Sequence, residues 1–259
     1  MGAYEQVQAA RLPQRPDALQ YIRAMVSDFV ELYGDRRFAD DAALVAGLGY
    51  LNDTCVTVLA LEKGEDNLDR LRRNFGSAQP EGYRKALWHL RQAEKFRRPV
   101  LCLIDTAGAA CGIGAEERGQ GQAIAEMLHE MMGLRVPVLS LIIGEGGSGG
   151  ALALAVANRV WMLDGAVYSV LSPEGAASII WKDAGKVRQA SEALKLTAHD
   201  MLALGVVEGL IPEEDGFDAT AAAVKRKFEL ALARYAGMSG EGILRERYRR
   251  FRKLGEGSP

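Results

Sequence analysis

One stretch limits what this chain can fold into more than any other. It is the apolar run Val136-Pro137-Val138-Leu139-Ser140-Leu141-Ile142-Ile143, then GEGGSGG over residues 144–150, then Ala151-Leu152-Ala153-Leu154-Ala155-Val156-Ala157. An unbroken apolar run rich in branched residues predicts a strand buried on both faces, the kind found in parallel sheets. The alanine and leucine run that follows predicts a buried helix. Five glycines in the seven residues of the junction leave Glu145 and Ser148 as its only side-chain bulk. Main-chain N–H groups and the helix N-terminus are therefore open to a ligand, and an oxygen carrying or developing negative charge is the natural guest.

The same plan occurs once more upstream. Pro99-Val100 opens a strand-like run to Ile104, which enters the small-residue stretch DTAGAACGIGAEERGQ over residues 105–120 and then a helix with Ile124, Met127, Leu128 and Met131 on one face. Alternation of buried strand, glycine-rich loop and helix predicts an α/β fold with a mainly parallel sheet, its ligand-binding loops at the strand C-termini. Two adjacent loops of this kind would meet at one site. Around them, apolar residues at helical spacing predict an amphipathic helix over 17–33, and 44–50 with 56–61 predict a hairpin. A polar loop is expected over 63–80 and a helix over 81–96. Further strands are expected at 159–163, 167–171 and 206–211, and helices at 186–194 and 198–204. Ser172-Pro173-Glu174 opens another helix, with Ser172 as cap and Pro173 in the first turn. Two helices complete the chain over about 216–254. The expected organisation is one domain over 1–259, with its core at about 42–212.

Lys and Arg number 32 against 34 Asp and Glu, so the net charge of −2 gives no electrostatic case for nucleic acid. Cys55, Cys102 and Cys111 lack metal-ligand spacing and read as buried cytosolic thiols, and no metal is expected in this chain. No apolar run is long enough to span a membrane, and a cytoplasmic protein is expected. The cations Arg70, Arg72, Arg73, Arg84 and Lys85 are candidate phosphate contacts, though a solvated face explains them as well. His89, His129 and His199 do not cluster. The basic end of the last helix, RERYRRFRKL, reads as exposed.

Taken in order, GDRRFADD, RRNFG with PEGYRKAL, GAEERGQ, GEGGSGGALAL and LSPEGAASIIWKD resemble the carboxyltransferase α subunit of bacterial acetyl-CoA carboxylase, in its shorter form. The resemblance runs from about Arg15 to Pro212. It implies a crotonase-like β-β-α superhelix with flanking helices. It also implies carboxyl transfer from carboxybiotin, borne on a separate biotin carboxyl carrier protein, to acetyl-CoA, giving malonyl-CoA in fatty acid biosynthesis. Gly149 and Gly150 would supply a main-chain oxyanion hole. Gly146, Gly147 and Ser148, with Gly108, Gly112 and Gly114 of the neighbouring loop, would contact substrate. A zinc-bearing β subunit would supply the second oxyanion hole and most of the CoA contact, in an α2β2 assembly. The family loop Gly-Ala-Tyr-Pro-Gly reads Gly108-Ala109-Ala110-Cys111-Gly112 here, which predicts a more flexible wall and leaves room for a paralogue acting on another acyl-CoA.

Two rival readings follow from the same residues. Gly146-Gly147-Ser148-Gly149-Gly150 matches the G-x-S-x-G elbow of serine hydrolases, and Ser148, Asp183 and His199 occur in a suitable order for a triad. Against it, the additional glycines are expected to remove the strain that exposes an elbow serine. The other rival is a non-catalytic scaffold that only binds a β-like partner.

Overall fold

The alternating apolar runs become the middle of an eight-stranded mixed sheet in the computed structural model, which describes residues 2–213 and 215–256. The chain enters through two short helices, α1 (Ala3–Ala10) and α2 (Ala18–Met25), then β1 (Ser27–Glu31), β2 (Leu44–Leu51) and β3 (Thr54–Leu61). After α3 (Asn67–Arg72) and α4 (Pro80–Lys95) come β4 (Val100–Thr106), α5 (Ile113–Glu117), α6 (Gln120–Gly133), β5 (Val138–Gly147) and α7 (Ser148–Ala155). The last third holds β6 (Arg159–Leu163), β7 (Val167–Ser169), α8 (Pro173–Ala176), α9 (Val187–Ala193), α10 (Ala198–Ala203), β8 (Gly209–Ile211), α11 (Phe217–Tyr235) and α12 (Gly240–Lys253).

Strand order is β1-β2-β3-β4-β5-β6-β8, with β7 beside the end of β5. β1, β2 and β3 are antiparallel, and every pairing from β3 onward is parallel. The expected β2–β3 hairpin forms, Leu51 opposite Thr54 across a turn in which Asn52 takes φ 50°. β4 and β5 are buried along almost their whole length, as the unbroken apolar runs predict, because α7 packs on both, α2 reaches β4, and α4 covers the adjoining β2 and β3.

Five expectations are corrected. The helix read over 17–33 stops at Met25, and Ser27–Glu31 pairs with β2. Val26, Phe29 and Val30 fit a helical stripe and an edge strand alike, and the open edge of β2 decides between them. GEGGSGG is not a loop: its first four residues continue β5 and Ser148 already opens α7, so strand and helix join directly. The polar stretch 63–80 contains α3, capped by Asp66, which accepts from the Leu68 and Asp69 N–H groups. Finally, α12 is not simply exposed. Arg247 is wholly buried and donates to the Met131, Leu134 and Val136 carbonyls and to Asn158 Oδ1. Strand 206–211 shortens to Gly209–Ile211. α1, which no sequence signal announced, packs Ala3, Val7 and Ala10 on Val167 and Leu196. Among the described residues, no helix is long and apolar enough to cross a membrane.

Candidate functional site

β4 and β5 run side by side and release the chain at the same edge, so the stretch after β4 lies against the β5–α7 junction. The contact is closer than any side chain permits. A Cβ at Gly147 would stand 2.1 Å from the Ala107 carbonyl oxygen, and one at Gly150 would stand 2.5 Å from Ala109 N. These two glycines are therefore required by packing. Gly149, between them in the same turn, is different: the nearest atom to its missing Cβ is Ile124 Cγ2 at 3.8 Å. No clash explains glycine there, and its face is left open.

Ser148 makes the junction possible by taking φ 50°, a conformation that costs a non-glycine residue of the order of 1 kcal/mol. The expectation that the glycines relieve this strain is thus overturned. The N-terminus of α7 carries no side-chain cap. Its first-turn N–H groups, which no helical carbonyl reaches, are at Ser148, Gly149 and Gly150. Uncapped donors, the positive end of the helix and an open glycine face make a cradle for an anionic oxygen.

The neighbouring stretch is held from behind. Thr106 Oγ1 donates to the Gly108 carbonyl at 2.8 Å and accepts from Gly108 N at 3.0 Å. Buried Gln120 donates to the Ala78 and Ala110 carbonyls. Of the other expected loop residues, Gly108 and Gly112 have φ 147° and 122°, while Gly112 and Gly114 are exposed on the way into α5. A narrow cleft of only about 20 Å³ opens beside the junction, between Ala107, Gly146 and Gly147 on one side and Arg11, Leu171 and Pro173 on the other.

Beneath the junction lies a charged cluster that sequence reading did not anticipate. Pairing steps from Ile104↔Ile142 to Thr106↔Gly146, four residues of β5 against two of β4, and Asp105 Oδ1 fills the irregularity by accepting from Glu145 N at 2.8 Å. Lys63 Nζ bridges Asp105 at 2.7 Å and Glu145 at 2.9 Å. Arg11, from the end of α1, joins Glu145 at 2.7 Å to Glu174 at 2.6 Å. Burial alone would raise the Glu145 carboxyl, but Lys63 and Arg11 outweigh it and hold the group below the usual carboxylate range. Burial likewise opposes the Lys63 charge, and Asp105 and Glu145 overcome it, raising the amine. The only titratable side chain in the glycine junction is thus a fixed anion rather than a base. A carboxylate inside an otherwise apolar strand was the available signal, since such a group demands a partner.

The candidate phosphate contacts prove to be occupied. Arg84 binds Asp35, Glu81 and the Arg118 carbonyl, and Lys85 binds Asp40 and the Asp41 carbonyl. Arg73 and Arg72 share Asp69, and Arg70 reaches the Gly64 and Pro13 carbonyls. GDRRFADD and PEGYRKAL are thus two halves of one clasp. Arg118 of GAEERGQ joins it through Glu81 and Gln79. Ser172 caps its helix as expected, accepting from Gly175 N. Cysteines divide: Cys102 is buried but Cys111 is exposed, against expectation. Ser148, Asp183 and His199 form no triad. Among the described residues no hydrogen bond joins them, His199 is exposed, and Asp183 caps Gly185 N.

With this geometry in view, the comparisons with known proteins are direct. Residues 1–255 match the family model described as acetyl co-enzyme A carboxylase carboxyltransferase-like. The chain is 55% identical over 256 residues to the acetyl-coenzyme A carboxylase carboxyl transferase subunit alpha of Ruminiclostridium cellulolyticum, covering 98% of both chains. It is 49% identical to the subunit of that name from Clostridium perfringens, covering 97% of this chain and 95% of the relative. Among solved structures it superposes on the transcarboxylase 12S hexamer core with TM-score 0.72 at 21% identity, over 89% of this chain and 44% of that one. The Pseudomonas malonate decarboxylase hetero-tetramer gives 0.68 at 22%, over 85% and 92%. These structural likenesses show the crotonase-like fold. The sequence matches go further: the chain belongs to the family of acetyl-CoA carboxylase carboxyltransferase α subunits.

Proposed function

We propose that this chain transfers a carboxyl group to acetyl-CoA, giving malonyl-CoA, as the α subunit of a multisubunit acetyl-CoA carboxylase in fatty acid biosynthesis. The observation that carries the reading is the open face of Gly149 on an uncapped helix N-terminus, flanked by two glycines that packing does require. The transfer develops charge on oxygen, and main-chain N–H groups hold such charge without titrating. Neutral donors over an open, unhindered face suit a planar ureido ring whose oxygen turns anionic, so the residues present fit biotin borne on a separate carrier protein. When bound, that group supplies the carboxyl to be moved. Gly149 and Gly150 N–H groups would receive the oxygen, Gly146, Gly147 and Ser148 would shape the floor, and the Gly108 stretch would form a wall. Glu145, locked between two cations, keeps the end of β5 in place and accepts no proton.

One such cradle serves one of the two oxygens on which charge develops. The other, with most of the CoA contact, is assigned to a zinc-bearing β subunit, in an α2β2 assembly that works in the cytoplasm. The expected result is that malonyl-CoA decarboxylation in the presence of biotin requires both chains together. Gly149→Val, with no internal clash to relieve, should leave folding and assembly intact and reduce transfer at least about a hundredfold, the scale of losing an oxyanion donor. Full transfer by that variant would refute the reading. A hydrolase reading has the strained Ser148 in its favour, and Ser148→Ala separates the two. The carboxyltransferase should keep its rate within about tenfold, where loss of a nucleophile costs about a thousandfold or more.

A further inference from the structure

Behind the glycine junction sits a phenol with nothing to bond to. Tyr83, on α4, is fully buried, and its Oη lies 2.9 Å from the point a Gly150 Cβ would occupy. Ala109 N lies 2.5 Å from that same point. Tyr83 Oη has no hydrogen-bond partner, and among the described residues the Ala109 N–H makes no hydrogen bond either. Gln120 repeats the pattern: its amide nitrogen pins Ala110, while its Oε1 is buried and unpartnered. A side chain needed only for packing would be served better by phenylalanine, because burying a hydroxyl without a partner is unfavourable. Burial also pushes the phenol above its ordinary range, so it stays a neutral hydrogen-bonding group throughout the working pH range.

We propose that Tyr83 is a positioning residue for carboxyl transfer: when an anion occupies the Gly149–Gly150 cradle, its hydroxyl accepts from the Ala109 N–H and ties the stretch after β4 to the first turn of α7. The inference rests on the reading of that turn as the anion cradle. A short inward movement of residues 108–110 makes the bond, and Gly150 is what leaves space for it. The wall that lacks the family's tyrosine and proline is thereby fixed from behind rather than from within.

The test is Tyr83→Phe in the complex reconstituted with a β subunit, measuring malonyl-CoA decarboxylation with biotin, together with the thermal midpoint. A positioning role predicts kcat lowered about tenfold, the worth of one hydrogen bond of about 1.4 kcal/mol, with KM for malonyl-CoA within about twofold. The thermal midpoint should be unchanged or raised. Wild-type kcat in Tyr83→Phe overturns the proposal, as does a fall in kcat that only follows a lowered midpoint. Gly149→Val, measured alongside, separates the two layers. If it abolishes transfer while Tyr83→Phe does not change it, the cradle stands and the role of Tyr83 falls. If it transfers at the wild-type rate, the cradle itself falls and the proposal with it.

Discussion

His89 illustrates how little a residue's type says about its state. It is 2% exposed, set edge-on to Trp88, and burial together with Lys85, Arg36 and Arg98 lowers its pKa to about 4. The unfolded chain then binds a proton near pH 6.5 that the folded chain refuses until about pH 4, so stability falls as pH drops through that window. His89→Gln should remove up to about 3 kcal/mol of that acid dependence and leave stability at pH 8 nearly as it was, which urea unfolding at pH 8, 6 and 4.5 would register. A slope equal to that of the wild type would contradict it. Sequence spacing could set the three histidines aside as catalytic groups but could not reach this, because the cations around His89 come from three separate segments. The same limit applied to Arg84 and Lys85. Their acids, Asp35 and Asp40, were in plain view, and only the fold pairs them, whereas Asp69 stands one helical turn before Arg73 and was within reach of sequence spacing. Gly149 was legible as a candidate, whereas its difference from Gly147 and Gly150 is a matter of tenths of a nanometre in three dimensions.

Elements were legible in proportion to how much burial they needed. β4, β5 and the body of α7 beyond its first turn are largely buried, and their apolar runs announce it. β1 lies at the sheet edge with three of its five residues in solvent, so its pattern carries no such imprint and merges with that of α2. α12 misleads in the opposite direction. Along this helix Ile243, Arg247 and Phe251 follow at four-residue spacing on the inward face, and the middle one is a guanidinium that ties the helix to the entry of β5. Burial depresses that group to about 10, still charged at neutral pH. Arg247→Met takes the donor from three buried carbonyls and leaves Asn158 Oδ1 with the Val138 N–H alone, and should cost about 3 kcal/mol or more. The checks are a lowered urea midpoint and early proteolytic release of α12. Arg245→Met, which removes only an exposed pair with Glu241, should change the midpoint hardly at all.

At the scale of the whole molecule, the cradle is built where the surface is least finished. Leu171, Ser172 and Pro173 line the cleft beside Gly146 and Gly147, and on the same segment Val170, Ile179 and Ile180 are 75%, 68% and 62% exposed. Scattered surface aliphatics are ordinary, but three within the eleven residues 170–180, on the segment that lines the cleft, are what a partner would cover. Arg11 connects the same segment to the charged cluster through Glu174, so this exposed segment and the end of β5 share one set of ion pairs. Under the proposed assembly Ile179→Glu should weaken association with a β subunit about thirtyfold or more, the effect of placing a charge at an apolar contact. Because Ile179 packs on little of its own chain, the urea midpoint of the isolated subunit should not move. Equilibrium binding by titration calorimetry measures the first and denaturation the second. Unchanged affinity would place the partner's contact on another face, and Leu68→Glu on α3, 80% exposed and remote in sequence, would then be the surface to probe.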